Sequence, residues 1–517
     1  MRFDPYPKYS RHPIFSCLAL SIVAGVFTGV LIFLFKISAS GVITLSSYIY
    51  SYVREDISRL PLILTFSVIL ATLAYLLLLY EPDCRGGGIP TAICYLRGLI
   101  TFRWLRNIIF IFLSSMLTYL CAVPLGTEGP SVQMGTAAGK AAVSLFSKNH
   151  PAWERYIMTG GACAGFAVVT GAPLTGILFA FEEAHRRFSP LIFIVSSTTV
   201  ISSTIVMRSL CSLFGLTYSL FHIDNIPKMP PKDIWIALVI GLVCGLVAIL
   251  FTRAYRSLRV FIVSKMAKIP LYFKVVFVFV ISALVGYFID ECIGSGHGLT
   301  DTIIGGEGIW YMLVIYFLIR ALLLIIANNV GVTGGLFVPI LAFGAIIGAV
   351  IADGAIAVGI MSSEYFTVCV LIGIASFLAA CSHIPLIAIS FSFEVLSAYN
   401  NPLPFIIAVT IAFFVIEGLG VTAFTDVVMY SKVEKVNGTR SCVEFDQTFV
   451  VKDGAFICGK AVRDILWPPQ CVVLLVGKDG QEKDSYEVSA GDILHVYATT
   501  YDKKVTFTNI ENIVGKQ

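Results

Sequence analysis

A succession of apolar blocks, several cut by glycine and proline, constrains this chain more than anything else in it. The blocks fall at 14–35, 60–80, 107–125, 156–181, 190–215, 233–252, 272–289, 309–327, 336–360, 366–380, 384–397 and 403–421. A helix that spans a bilayer needs ~20 apolar residues, and the stretches around 86–90, 126–130 and 334–339 are too short or too interrupted for that. Lipid offers no hydrogen bonds. A broken helix at membrane depth therefore survives only where protein buries it or where it lines a wet cavity, which points to a transport site. Composition agrees: 57% of residues are hydrophobic and 13% charged, against about 25% charged in soluble domains. A soluble enzyme and a disordered chain are excluded. The net charge of +4 leaves no nucleic-acid footprint.

Arg2, Lys8 and Arg11 precede the first block, which ends at Lys36. A secretory signal has an apolar core of about 7–15 residues, so this longer run reads as a first span with a cytoplasmic N-terminus. Basic clusters at Arg97, Arg103 and Arg106, at His185 to Arg187, and from Arg253 to Lys268 read as interfacial anchors. The thirteen cysteines are scattered, contain no C-x-x-C, and read as small hydrophobes. Nothing in the pattern calls for a metal or a cofactor. After about Lys432 polarity becomes mixed, and 441–517 reads as a small soluble α+β domain, with β-rich runs at 472–476 and 493–498.

The chain also repeats itself. Gly126, Pro130, Gly135 and Gly139 have the spacing of Gly335, Pro339, Gly344 and Gly348, 209 residues later. Pro173, Leu174, Ile177, Phe179, Phe181 and Glu182 return as Pro385, Leu386, Ile389, Phe391, Phe393 and Glu394 at an offset of 212. Spaced patterns containing Pro, Gly and Glu rarely match by chance, so we read two halves, about 60–215 and 232–430, within a membrane domain of 1–432. An odd number of intervening helices would invert one half and bring the Gly-Pro breaks face to face near the midplane.

A glycine-rich break that leads into a helix leaves free N–H groups at the positive end of the helix dipole. Such an end binds anions without a buried cation. The breaks at 86–90, 126–130 and 335–339 are the candidates. Gly135, Gly139, Gly344 and Gly348 read instead as close helix contacts. Glu128 sits in the second break, where the repeat has Phe337. A carboxylate at membrane depth marks an ion or proton path by default. At a helix N-terminus it can occupy the anion's place and leave when protonated. Glu182 and Glu183 end the helix that starts at Pro173. Adjacent helical residues face different ways, so one of them can face the interior as a proton relay while the other faces water; an ordinary salt-bridged pair at the interface is the equal alternative.

These motifs together resemble the CLC family of chloride channels and chloride/proton antiporters. The family's GSGIP, GREGP and GxFxP stand here as GGGIP at 86–90, GTEGP at 126–130 and GLFVP at 335–339, and GAPLTGILFAFEE at 171–183 is also similar. The resemblance implies an all-α polytopic CLC-type fold with inverted halves and broken helices. It implies a homodimer in the plasma membrane with one anion path per subunit. Glu128 becomes the gate and proton carrier, and Glu183 the internal proton glutamate typical of antiporters. Gly86, Gly87, Gly88, Thr127, Gly129, Leu336, Phe337, Val338 and Thr425 would surround chloride or nitrate. Three family residues differ: the serine of GSGIP is Gly87, the arginine of GREGP is Thr127, and the inner tyrosine is replaced by Thr425 or its rival Phe424. These departures make an uncoupled chloride channel the alternative to a proton-coupled antiporter. The family's fluoride-selective branch generally lacks the internal glutamate, and Glu183 argues against it. In the last domain Phe456 to Gly459, a short helix after them, and then Ser489 to Leu494 resemble the TrkA-C regulatory domain, which implies a cytoplasmic module for dimerisation or for sensing a small ligand. No H-E-x-x-H, G-x-S-x-G or Walker A motif offers enzymatic chemistry in the membrane part.

Overall fold

The computed structural model describes residues 11–86, 88–146, 151–221, 223, 226–438, 443–476 and 487–515. The first helices are α1 (Arg11–Arg54), α2 (Leu60–Tyr80), α3 (Ile89–Leu96), α4 (Trp104–Leu120), α5 (Glu128–Phe146), α6 (Glu154–Thr170), α7 (Pro173–Phe179) and α8 (Pro190–Phe214). A similar succession follows: α9 (Trp235–Ser264), α10 (Leu271–Phe288), α11 (His297–Ile304), α12 (Trp310–Val330), α13 (Phe337–Ala357), α14 (Phe366–Ser382), α15 (Pro385–Glu394) and α16 (Pro402–Gly418). Then α17 (Phe424–Asn437) leads to a C-terminal unit with β1 (Val443–Val450), β2 (Cys471–Val476), β3 (Ile493–Thr500) and α18 (Lys503–Val514). Among the described helical segments, 8 are long and apolar enough to cross a membrane.

The packing repeats as well. α5 packs on α6 as α13 packs on α14, α6 on α7 as α14 on α15, and α1 on α8 as α9 on α16. Small residues allow this closeness. A Cβ on Gly135 would stand 2.2 Å from the Gly161 carbonyl oxygen, and one on Gly344 would stand 2.6 Å from that of Gly373. The pairing brings α1, which lies ahead of residue 60, into the packing of the first half. α1 also departs from expectation: it does not end at Lys36 but continues to Arg54 as a helix of 44 residues. No proline follows Lys36 to stop it, and Arg54 ties its end to the Gly286 carbonyl at 2.8 Å and to Asp290 at 2.5 Å.

Hydrogen bonds exchanged between equivalent positions join the halves. Gly126 donates to the Gly335 carbonyl at 2.8 Å, and Gly335 returns the bond to Gly126 at 2.7 Å. The Glu182 carboxylate accepts from the amides of Leu386 and Ile387 at 2.8 and 2.6 Å. Glu394 accepts from those of Leu174 and Thr175, both at 2.8 Å. Each glutamate thus caps the other half's short helix.

The C-terminal unit is an antiparallel sheet in the order β1-β3-β2. Phe445, Phe449, Leu494 and Val496 share its core with Ile510 and Val514 of α18. Where the sequence reading has a short helix after Gly459, the structure has a 3-10 turn, Val462–Asp464. The segment after that turn docks on the membrane part. Arg155 donates to the carbonyls of Leu466 and Trp467 at 2.9 and 2.8 Å, and Arg187 to that of Ile465 at 2.8 Å. Phe456 stacks edge-on against Trp153 with centroids 4.8 Å apart.

Candidate anion and proton site

Three loops converge where α3, α5 and α13 begin. A Cβ on Gly129 would stand 2.7 Å from the Gly335 Cα and 2.8 Å from the Gly88 Cα. Both neighbours are backbone, so only glycine fits. Gly88 itself has φ +112°, a conformation that glycine tolerates best. Leu336 precedes α13, and Phe337 and Val338 open it. The first-turn amides of α5 and α13, those of Gly129, Phe337 and Val338 among them, have no intrahelical acceptor.

Glu128 is the first residue of α5 and is 1% exposed. Its Oε1 accepts from the Thr127 hydroxyl at 2.9 Å. Its carboxylate lies near the first residues of α13, with Oε2 and the Val338 side chain both over Gly126 and Oε2 without a hydrogen-bond partner among the described residues. A Cβ on Gly126 would come within 2.6 Å of that oxygen. The negative group therefore sits between two positive helix ends. Phe337, its counterpart in the repeat, turns its ring toward Phe166 and Phe391, with centroids 5.1 and 5.6 Å away, and makes one wall apolar.

The first break differs from expectation. Gly86 donates its amide to the Gly331 carbonyl at 2.9 Å, and Gly88 donates to Gln133 Oε1 at 2.8 Å. These two N–H groups, expected to face an anion, are taken by protein acceptors. Gly87 lies outside the described residues. The sequence reading missed Gln133, whose Nε2 donates to the Tyr95 hydroxyl at 3.3 Å; Asn107 donates to the same hydroxyl at 3.1 Å. The only sequence signal was polar residues inside apolar helices.

Glu182 and Glu183 face different ways, but Glu182 does not face water as expected. Glu182 is half-buried, with both oxygens capping α15. Glu183 is 4% exposed. It sits in a π-helical turn, Ala180–Ala184, closed by the His185 amide bonding the Ala180 carbonyl at 3.1 Å. Such turns are frequent at functional sites. In the second half α15 stays α-helical up to Glu394, and Val395, its C-cap, stands where Glu183 does. Arg97 fixes the turn by donating to the Glu183 and Ala184 carbonyls at 3.0 and 2.9 Å, and Arg186 pairs with Asp426 of α17 at 2.7 Å. Phe424 opens α17 with its ring buried against Phe251 and Tyr255, and Thr425 beside it is also buried.

Two cavities approach the glycine cluster. One, of about 740 Å³, is lined by Thr127, Glu128, Val338, Lys36 and His297. The other, of about 550 Å³, is lined by Gly86, Pro90, Asn328, Lys274, Lys432 and Lys435. Lys432 donates to the Asp83 and Arg85 carbonyls at 2.6 and 3.1 Å and to the Thr91 hydroxyl at 3.1 Å, which holds the loop ahead of Gly86. The larger cavity lies at the far end of α6 from the docked C-terminal unit: Val169 lines the cavity, whereas Arg155 and Tyr156 hold residues 464–467.

Broken helices, apposed glycine loops and a buried carboxylate between helix ends define a membrane protein that handles small ions. Residues 68–417 match the sequence model of the family described as voltage gated chloride channel, and the chain belongs to that family. The H(+)/Cl(-) exchange transporter ClcA of Cronobacter sakazakii is 28% identical over 371 residues, 69% of this chain and 76% of that protein. Its namesake in Yersinia pestis bv. Antiqua (strain Angola) is 26% identical over 398 residues, 74% of this chain and 80% of that protein. A slow cyanobacterial Cl-/H+ antiporter superposes with a TM-score of 0.74 at 23% identity, covering 81% of this chain and 99% of that one. The chain therefore has the CLC fold and is a multi-pass membrane protein.

Proposed function

We propose that this protein exchanges a small anion, chloride or nitrate, for protons. The ClcA relatives carry exchange of H+ and Cl- in their names. The observation that carries the reading is the Glu128 carboxylate lodged between the N-termini of α5 and α13. An anion needs that same place. Protonation removes the charge that holds the side chain there, and the carboxyl can swing toward the larger cavity while the anion takes the amides of Gly129, Leu336, Phe337 and Val338. Glu183, buried in its π turn, is the second proton station. Glu182 is left to hold α15. Thr425, or the Phe424 ring, stands at the inner side in place of a tyrosine.

In this reading the halves are inverted, the protein is a homodimer in the plasma membrane, and the larger cavity is the outer mouth. The C-terminal unit is then cytoplasmic. Its sheet and helix suit a TrkA-C-like role in dimerisation or in sensing a small ligand.

The test is flux in liposomes under a chloride gradient, with external pH and chloride recorded together. Uphill proton movement is expected in the unaltered protein. Glu128→Gln keeps anion flux and loses proton movement, and Glu183→Ala does the same. Chloride flux with no proton movement in the unaltered protein would replace the antiporter with a passive channel. Proton transport persisting in Glu128→Gln would remove that residue from its role.

A further inference from the structure

The larger cavity holds a group that the anion and proton roles above do not use. His297 opens α11 and lines this cavity with Glu128. Its Nδ1 lies 2.8 Å from Asp301 Oδ2, and its Nε2 lies 2.6 Å from the Leu220 carbonyl oxygen. A carbonyl accepts only, and so does an ionised carboxylate. A neutral imidazole has one N–H and can satisfy only one of them; two acceptors on two ring nitrogens require two protons. Burial works against the charged ring, but the Asp301 bond and charge and the Leu220 carbonyl outweigh it and hold the pKa above the ordinary histidine value.

The charge is well placed. Lys36 lines the same cavity. Arg320 lies buried behind the loop that leads into α11, donating to the carbonyls of Glu291, Ile293 and Gly294 at 3.0, 3.2 and 3.0 Å. On the acidic side, Asp290 is paired with Arg54, Asp301 is spent on His297, and Glu291 lines the cavity with Glu128. Thr127 stands where the family motif has arginine, so the second break brings no cation of its own.

We infer that His297, held in its imidazolium form between Asp301 and the Leu220 carbonyl, is an anion-attracting cation of the mouth and a pH-dependent determinant of anion entry. The inference rests on the anion-transport reading above. At low pH the ring offsets the Asp301 charge, so the approach is one unit less negative and the local anion concentration rises. As pH rises through its pKa, one acceptor loses its donor and the mouth loses that charge.

The experiment measures the half-saturating chloride concentration from the cavity side in liposomes, at external pH from about 5.5 to 8.5. Glu128 titrates too, so every variant is also made in the Glu128→Gln background, where the remaining pH dependence of anion entry is read. His297→Gln should raise half-saturation about threefold at low pH, the order expected of one partly screened charge, and remove the pH dependence. His297→Arg should restore low half-saturation at every pH. Asp301→Asn, which keeps the ring, should move the midpoint to lower pH. Unchanged half-saturation in folded, transporting His297→Gln, or an unmoved midpoint in Asp301→Asn, would overturn the inference. Absence of anion flux in the unaltered protein would instead sink the transport reading.

Discussion

Position 129 is decided by space. Its hypothetical Cβ meets backbone on two sides, at 2.7 and 2.8 Å, so neither neighbour can yield by a rotamer change. Gly129→Ala should therefore cost about 1–3 kcal/mol of stability and spread the three loops. Gly354→Ala is the matched control, because nothing lies within 4 Å of its Cβ. Thermal unfolding in detergent should lower the midpoint for the first variant alone; equal midpoints would mean the loops open freely. The same residue shows why part of the site was legible in sequence. Gly129 and Glu128 sit in a motif whose residues are neighbours in the chain. Gln133 and His297 were not legible, because their significance depends on partners remote in sequence: the Gly88 amide for one, the Leu220 carbonyl for the other.

Among elements, the exchange of caps between α7 and α15 separates the two adjacent glutamates by what their removal does. A carboxylate accepting two amides contributes roughly 1–3 kcal/mol, with hydrogen bonds to charged groups at the upper end. Glu182→Gln and Glu394→Gln should each lower the unfolding midpoint and leave proton-to-anion coupling in place. Glu183→Gln should do the reverse, abolishing proton movement with little loss of stability. Loss of coupling in Glu182→Gln at normal stability would return that residue to the proton path. The fold itself was legible to the extent that helices announce themselves by apolar length and glycine breaks. The π turn was not, because one extra residue in a turn leaves no mark on hydropathy. The end of α1 was not legible either: Lys36 looked like a boundary, but a lone lysine without proline or a cap does not stop a helix.

Across the molecule, the C-terminal unit rests on the membrane part through a face containing a buried cation. Lys460 is 7% exposed, over the Phe456 ring at 4.1 Å and near Trp153, and donates to the Phe456 carbonyl. Burial pulls its pKa down to about 8. The folded pKa lies below the unfolded value, so the folded state binds fewer protons between the two. Stability should thus rise as pH climbs from about 8 toward the ordinary lysine value near ~10.4. Lys460→Met should be the more stable protein at pH 7 and should flatten this profile in thermal scans. A parallel profile in the variant would place the pH dependence elsewhere. The reciprocal bonds between the halves act on this largest scale too, and in time rather than space. A nascent chain is made from its N-terminus. The amides that open α7 must wait for Glu394, 220 residues later by the bond from Leu174, before they find their acceptor. The first half lacks these acceptors until the second has been made, and a chain arrested halfway through translation leaves the amides that open α7 without their caps.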